Sequence, residues 1–117
     1  MRSRLTKLGE IYLEYALQYP RLYELMFLKP RGGARRYPQD FRAGRSATTN
    51  PTVEVIREGM ESGYLRKDDA WEIVFEMSAL SHGLIMLYLG GRVSVPLTHF
   101  RAVYRHSFRR YIRGIRK

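Results

Sequence analysis

Ala79–Gly91 reads ALSHGLIMLYLGG, and in a chain with 21 lysines and arginines and 11 acidic residues it holds no acid or base except His82, Tyr88 being a neutral phenol. A helix that is apolar on every side must be covered on every side, and a domain of 117 residues seldom has enough neighbours of its own to do that. The stretch therefore predicts two kinds of cover, the chain's own core and a second chain. Glu76 and Arg92 flank it closely, whereas a membrane span needs about 20 apolar residues. The expectation is burial by a partner and no membrane span.

Working outward, the helix around this stretch is predicted from about Ala70 to Gly90. Trp71, Phe75, Ser78, His82, Ile85 and Leu89 form one apolar stripe, and Ile73, Met77, Leu80, Leu84, Leu87 and Gly91 a second. Asp69 is placed to cap it, with Glu72 three residues on as in a capping box, and Gly90-Gly91 ends it. Ser94-Val95-Pro96 opens a last helix with Leu97, Phe100, Tyr104, Phe108, Tyr111 and Ile115 on its apolar side.

Upstream, Leu5, Leu8, Tyr12, Tyr15 and Tyr19 recur at helical steps until Pro20, which ends one helix and starts a short second one through Leu22, Tyr23, Met26, Phe27 and Leu28. Residues 29–46 carry two prolines, three glycines and a run of bases. They read as a loop, pinned to the body by Tyr37 and Phe41. Gly32-Gly33 with Arg31, Arg35 and Arg36 is a weak phosphate-loop signal, because no Gly-Lys-Ser/Thr signature and no preceding strand accompany it. Asn50 is a good cap and Pro51 a good first residue for the next helix, which runs through Val53, Ile56 and Met60 to Gly63. With no alternating strand pattern and no internal repeat, the chain reads as one all-α domain of five helices, residues 1–117.

The composition excludes several functions. There is no cysteine, hence no disulfide and no thiolate chemistry, and the start MRSRLTKLGE lacks the apolar run of a signal peptide, so a cytoplasmic protein is expected. The carboxylate pairs Glu10/Glu14, Glu54/Glu58 and Glu72/Glu76 sit at helical spacing on polar faces, and no serine lies in a nucleophile-elbow context. His99 and His106 are seven residues apart with no carboxylate nearby, so no metal, no cofactor and no catalytic group is expected. His82 reads as a neutral ring in or beside the core holding one hydrogen bond, or as a ring facing a partner chain.

The net charge of +10 is unevenly placed. All the acids precede residue 77, and from there on Arg92, Arg101, Arg105, Arg109, Arg110, Arg113, Arg116 and Lys117 are unopposed. The basic last helix supports an alternative reading as a module that binds anionic membrane or nucleic acid nonspecifically. The other reading is an amphipathic helix that packs its aromatic side and solvates its arginines.

The segments Tyr12–Phe27 (YLEYALQYPRLYELMF), Glu58–Asp69 (EGMESGYLRKDD) and Ala79–Leu87 (ALSHGLIML) resemble, in order and spacing, the C-terminal ligand-binding and dimerisation domain of TetR-family transcriptional regulators. The branch in question is named for a Trp-His-Gly motif. His82-Gly83 matches its last two residues, while Ser78 stands where the tryptophan is usually found.

The resemblance implies that the last two helices form a four-helix bundle with those of a second subunit. It also implies that the earlier helices surround a pocket for a small apolar or aromatic effector. The family's helix-turn-helix domain is absent from these residues, so operator DNA would be a partner only through a missing N-terminal domain. On this basis the candidate ligand-binding residues are Tyr15, Tyr19, Tyr23, Met26, Phe27, Ile56, Met60, Phe75, Ser78 and His82. The candidate dimer contacts are Leu84, Leu87, Tyr88, Phe100, Val103, Tyr104 and Ile112.

Overall fold

The structure, a computed structural model, describes residues 2–28 and 33–117; the Arg31-Gly32 part of the weak phosphate-loop signal lies outside them. Six α-helices occur among the described residues: α1 (Arg2–Gln18), α2 (Pro20–Tyr23), α3 (Gln39–Arg42), α4 (Asn50–Glu61), α5 (Ala70–Leu89) and α6 (Leu97–Ile115). A π-helical turn, Glu24–Leu28, continues directly from α2. The expected count of five is thus too low by one turn, because Gln39–Arg42 winds inside the stretch read as loop. Asp40 stabilises that turn by accepting from the Arg36 backbone N–H and the Arg45 guanidinium.

The helices form a slab with extents of 39 × 35 × 17 Å, about two helix diameters thick. In it α1 packs against α4, α5 and α6, and α5 against α4 and α6. Periodicity misplaced the buried face of α1. Leu5, Leu13 and Ala16 are in the core, and Gly9 lies between them, whereas Tyr12 and Tyr15 only border it. The reason is close approach: a Cβ added at Gly9 would stand 2.9 Å from the Phe108 ring of α6, so a glycine sits where the two helices cross. Tyr104 fastens the same crossing, donating to the Gly9 carbonyl at 2.5 Å and lying 2.8 Å from Ser81 Oγ of α5.

On α5 the buried residues are Trp71, Ile73, Val74, Met77, Ser81 and Ile85. They cut across both stripes read from the sequence, and Val74 and Ser81 belong to neither. The Asp69 cap and the glycine stop follow the expected chemistry, but the capping box does not close, since the Asp69 N–H donates to Asp68 Oδ1 and not to Glu72. The Asp69 carboxylate accepts from the Trp71 and Glu72 N–H groups. At the other end Gly91 takes φ +74, with Arg92 N–H bonded to Leu87 O and Gly91 N–H to Tyr88 O, the Schellman pattern. Asn50 does not cap α4; Thr49 holds the cap position, and the Asn50 amide donates to the Gly44 carbonyl.

The helix as a whole corrects the length argument against a membrane span, since Ala70–Leu89 is long and apolar enough to cross one by length and composition. Glu72 and Glu76 in its first half, and its packing on three neighbours, make it the central helix of this slab. It remains under-covered, because only 28% of its most apolar window is buried within the chain.

The last helix is less open to solvent than its arginines suggest. Arg101 and Arg105 pair with Glu14 and Glu10 of α1, and Tyr111 donates to Glu76. The C-terminus is tied down by Arg66 N–H to Ile115 O and Lys117 N–H to Tyr64 O. Each exposed ion pair contributes little, about 0–1 kcal/mol. Their placement shows that the acids of the first half meet the bases of the second within one chain.

Candidate functional site

Two adjoining cavities open between α1, the π-helical turn, the segment 34–51 and α5. The inner one, of about 320 Å³, has walls from Phe27, Phe41, Phe75, Ser78 and His82. The outer one, of about 360 Å³, is bounded by Leu8, Ile11, Tyr15 and Pro51. Tyr12, Met26, Phe27, Ala47 and Thr48 border both and form the partition between them. Met26 and Phe27 reach it because the π-helical turn, with its wider bonding, places consecutive side chains on the cavity side. Both volumes lie in the range of small-molecule sites, about 300–1,000 Å³.

The partition is held by specific bonds. Tyr12 donates to the Thr48 carbonyl at 2.6 Å, linking α1 to the segment ahead of α4. Tyr15 hydroxyl lies 3.3 Å from Met26 Sδ. Tyr37 stacks on Phe75 at 4.3 Å, and Phe41 meets the same ring edge-on at 6.3 Å, so the loop is pinned across the cavity by both aromatics named from the sequence.

His82 stands at the inner wall among Phe27, Tyr23 and Tyr12, with ring centroids at 5.0, 5.4 and 5.9 Å. Its Nδ1 is hydrogen-bonded to the Tyr23 hydroxyl. Tyr23 is fully buried, and His82 Nδ1 is the one acceptor its O–H has among the described residues. The phenol therefore donates, which fixes the imidazole as the Nε2–H tautomer. Burial pushes the His82 pKa below its usual value and the Tyr12 and Tyr23 hydroxyls above theirs, so all three are neutral at physiological pH.

Of the residues named from the sequence, Phe75, Ser78 and His82 line the inner cavity, Tyr15 the outer, and Met26 and Phe27 both. Four are elsewhere. Tyr19 is exposed beside the Tyr15 ring, Tyr23 lies behind His82, and Ile56 is sealed in the core. Met60 borders a separate cleft with Leu65 and Arg66. Ile56 and Met60 lie on the faces of α4 turned away from the cavities, while Pro51 at its start reaches the outer one.

Sequence reasoning missed the hydroxyl run Ser46, Thr48 and Thr49, and it named Arg35 only in a weak phosphate-loop signal and Phe41 only as a pin for the loop; all come from non-helical chain or a single turn. Tyr12 was visible in the tyrosine stripe but was not singled out.

The expected dimer contacts divide in a similar way. Phe100, Tyr104 and Ile112 fill the chain's own core and have no surface to offer a second chain. Tyr88 is stacked on Phe100 at 4.6 Å and half-buried, as is Leu84. Leu87 and Val103 are 46% and 39% exposed, and Met86, not anticipated, is 53% exposed. Among the described residues no group of three or more His, Asp or Glu side chains is gathered to hold a metal.

Residues 5–114 match the family model described as "Tetracyclin repressor-like, C-terminal domain". A solved structure described as a protein with unknown function from Rhodococcus sp. RHA1 superposes with a TM-score of 0.79 and 28% identity, over 99% of this chain and 59% of that one. This chain thus spans less than two thirds of that protein's length. Comparison with curated proteins gave no match.

Proposed function

Because the chain belongs to the tetracyclin repressor-like C-terminal domain family, as a non-catalytic regulatory domain of the effector-sensing and dimerising kind, we propose that the two adjoining cavities are its effector site. The observation that carries this reading is the shared partition of Tyr12, Met26 and Phe27, an aromatic and thioether wall with a cavity on each side. A small apolar or aromatic molecule fits such walls, while Ser78, His82 and the Thr48–Thr49 hydroxyls orient it. Ser78 stands where the family motif carries tryptophan, and the small side chain leaves the inner cavity open.

The test is Ser78→Trp, which restores the motif residue and fills that cavity. A set of aromatic compounds is screened by thermal shift on both proteins. Compounds that raise the melting temperature of the parent and not of the variant support the site. Stabilisation that is equal in the two would place the effector elsewhere.

The chain acts, in this proposal, as a homodimer within the cytoplasm, its two cavities and its pairing surface forming one domain. The outer faces of α5 and α6 supply the pairing surface through Met86, Leu87 and Val103, with Leu84 and Tyr88 at its edge, in a four-helix arrangement burying about 1,200–2,000 Å². Support comes from the incomplete cover of α5 and from the exposure of those side chains. Effector binding beside α5 then biases the relation between subunits, and so between DNA-binding domains carried outside this chain, by a coupling of about 1–3 kcal/mol. Leu87→Glu tests the surface. Light scattering at micromolar concentration is expected to give a dimer for the parent and a monomer for the variant, and a monomeric parent would refute it.

A further inference from the structure

The inner cavity is apolar in its walls and one-sided in its polar groups. Phe27, Phe41, Phe75 and Met26 supply the surface, Arg35 is the single charged side chain among its lining residues, and no carboxylate lines it. Arg35 makes no ion pair within 4 Å among the described residues; Asp40, bonded to Arg36 N–H and Arg45, feels the Arg35 charge only at longer range. His82, its Nδ1 occupied by Tyr23, presents an Nε2–H with no acceptor among the described residues. Ser78 likewise has no hydrogen-bond partner there. A hydrocarbon would leave these donors unmatched, and a cation would meet Arg35 with no carboxylate in the cavity wall to offset it. The complementary ligand has an aromatic body and a group that only accepts hydrogen bonds and carries negative charge, which describes a carboxylate.

Resting on the assignment of these cavities as the effector site, we infer that the effector is an aromatic monocarboxylate, its ring among Phe27, Phe41 and Phe75 and its carboxylate paired with Arg35. The His82 Nε2–H acts as a neutral donor that favours an acceptor over a second donor, while the Ser78 hydroxyl, able to donate or accept, completes the contact. Arg35 is exposed at the rim, so the pairing is partly screened and the preference it creates is moderate.

The probes are one-ring and two-ring aromatic acids with their neutral primary amides, 2-naphthoate against 2-naphthamide being the first pair. Calorimetric titration of the purified chain is expected to show the acid binding about tenfold more tightly than the amide, equivalent to about 1.4 kcal/mol. Arg35→Gln should remove that preference, weakening the acid far more than the amide, with the melting temperature of the free chain unchanged, and Arg35→Lys should keep part of it. Equal binding of acid and amide, or a preference that survives in Arg35→Gln, overturns the inference. If the acids fail to bind but neutral aromatics stabilise the parent and not Ser78→Trp, the ligand class is wrong and the site stands. If no aromatic compound of either kind binds, both fall.

Discussion

The junction of α1, α5 and α6 rests on one phenol, and its removal gives a sharp test of the fold. Tyr104 has a single proton, which goes to the Gly9 carbonyl at 2.5 Å, so the 2.8 Å contact with Ser81 must run from the Ser81 hydroxyl to the Tyr104 oxygen. Tyr104→Phe removes both bonds without changing the packing of the ring. The Gly9 carbonyl lies within α1 and keeps its helical partner, but Ser81, 2% exposed, loses its acceptor. Two bonds at about 1 kcal/mol each, plus part of the cost of an unmatched buried hydroxyl, give a loss of about 2–3 kcal/mol.

Ser81→Ala alone removes one bond and leaves Tyr104 satisfied by Gly9, at about 1 kcal/mol. The double variant should be no less stable than Tyr104→Phe, because the stranded hydroxyl is gone. Urea unfolding of the four proteins measures all of these differences. Additive losses, or a Tyr104→Phe variant within 0.5 kcal/mol of the parent, would show that the three helices are not joined through this hydroxyl.

Gly9→Ala should destabilise in spite of a helix-propensity gain of about 1 kcal/mol, because the new methyl meets the buried Phe108 ring at 2.9 Å and overpacking costs about 1–3 kcal/mol. A thermal melt shows the sign, and Phe108→Leu in the same chain should turn the substitution favourable. The folded-state pKa of His82 is depressed by burial, and the ionisable rings against it, Tyr12 and Tyr23, stay neutral. Stability is therefore fully present above the unfolded histidine value of 6.5 and is lost as pH falls through the lower folded one, because the unfolded chain binds the proton first. Chemical denaturation between pH 7.5 and 5 should show this decline, and His82→Phe should flatten it. A slope unchanged in the variant would assign the effect to other groups.

The candidate site divides along a physical line. Tyr15, Met26, Phe27, Phe75, Ser78 and His82 were readable because they sit on helices, where spacing reports which face a side chain occupies. Arg35, Phe41 and the hydroxyls of residues 46–49 were not, since a segment without a repeating period carries no such signal. Ile56 and Met60 show the converse error: an apolar stripe on α4 says that a face is buried and leaves open whether it meets core, cavity or another surface.

By itself the sequence determined the helical class and the Asp69 and Gly90-Gly91 ends of α5, because caps, breakers and apolar periods act within a few residues along the chain; the likeness to a regulatory domain came separately, from the resemblance of three segments to a known family. The sequence also raised the expectation that Ala79–Gly91 draws part of its cover from a second chain. Only the tertiary structure decided how that cover is shared. Ser81 and Ile85 turn to the core, Ser78 and His82 to the inner cavity, and Met86 and Leu87 to the outside. Those assignments depend on where α1 crosses α6 at Gly9, a contact between residues far apart in the chain that local periodicity does not encode.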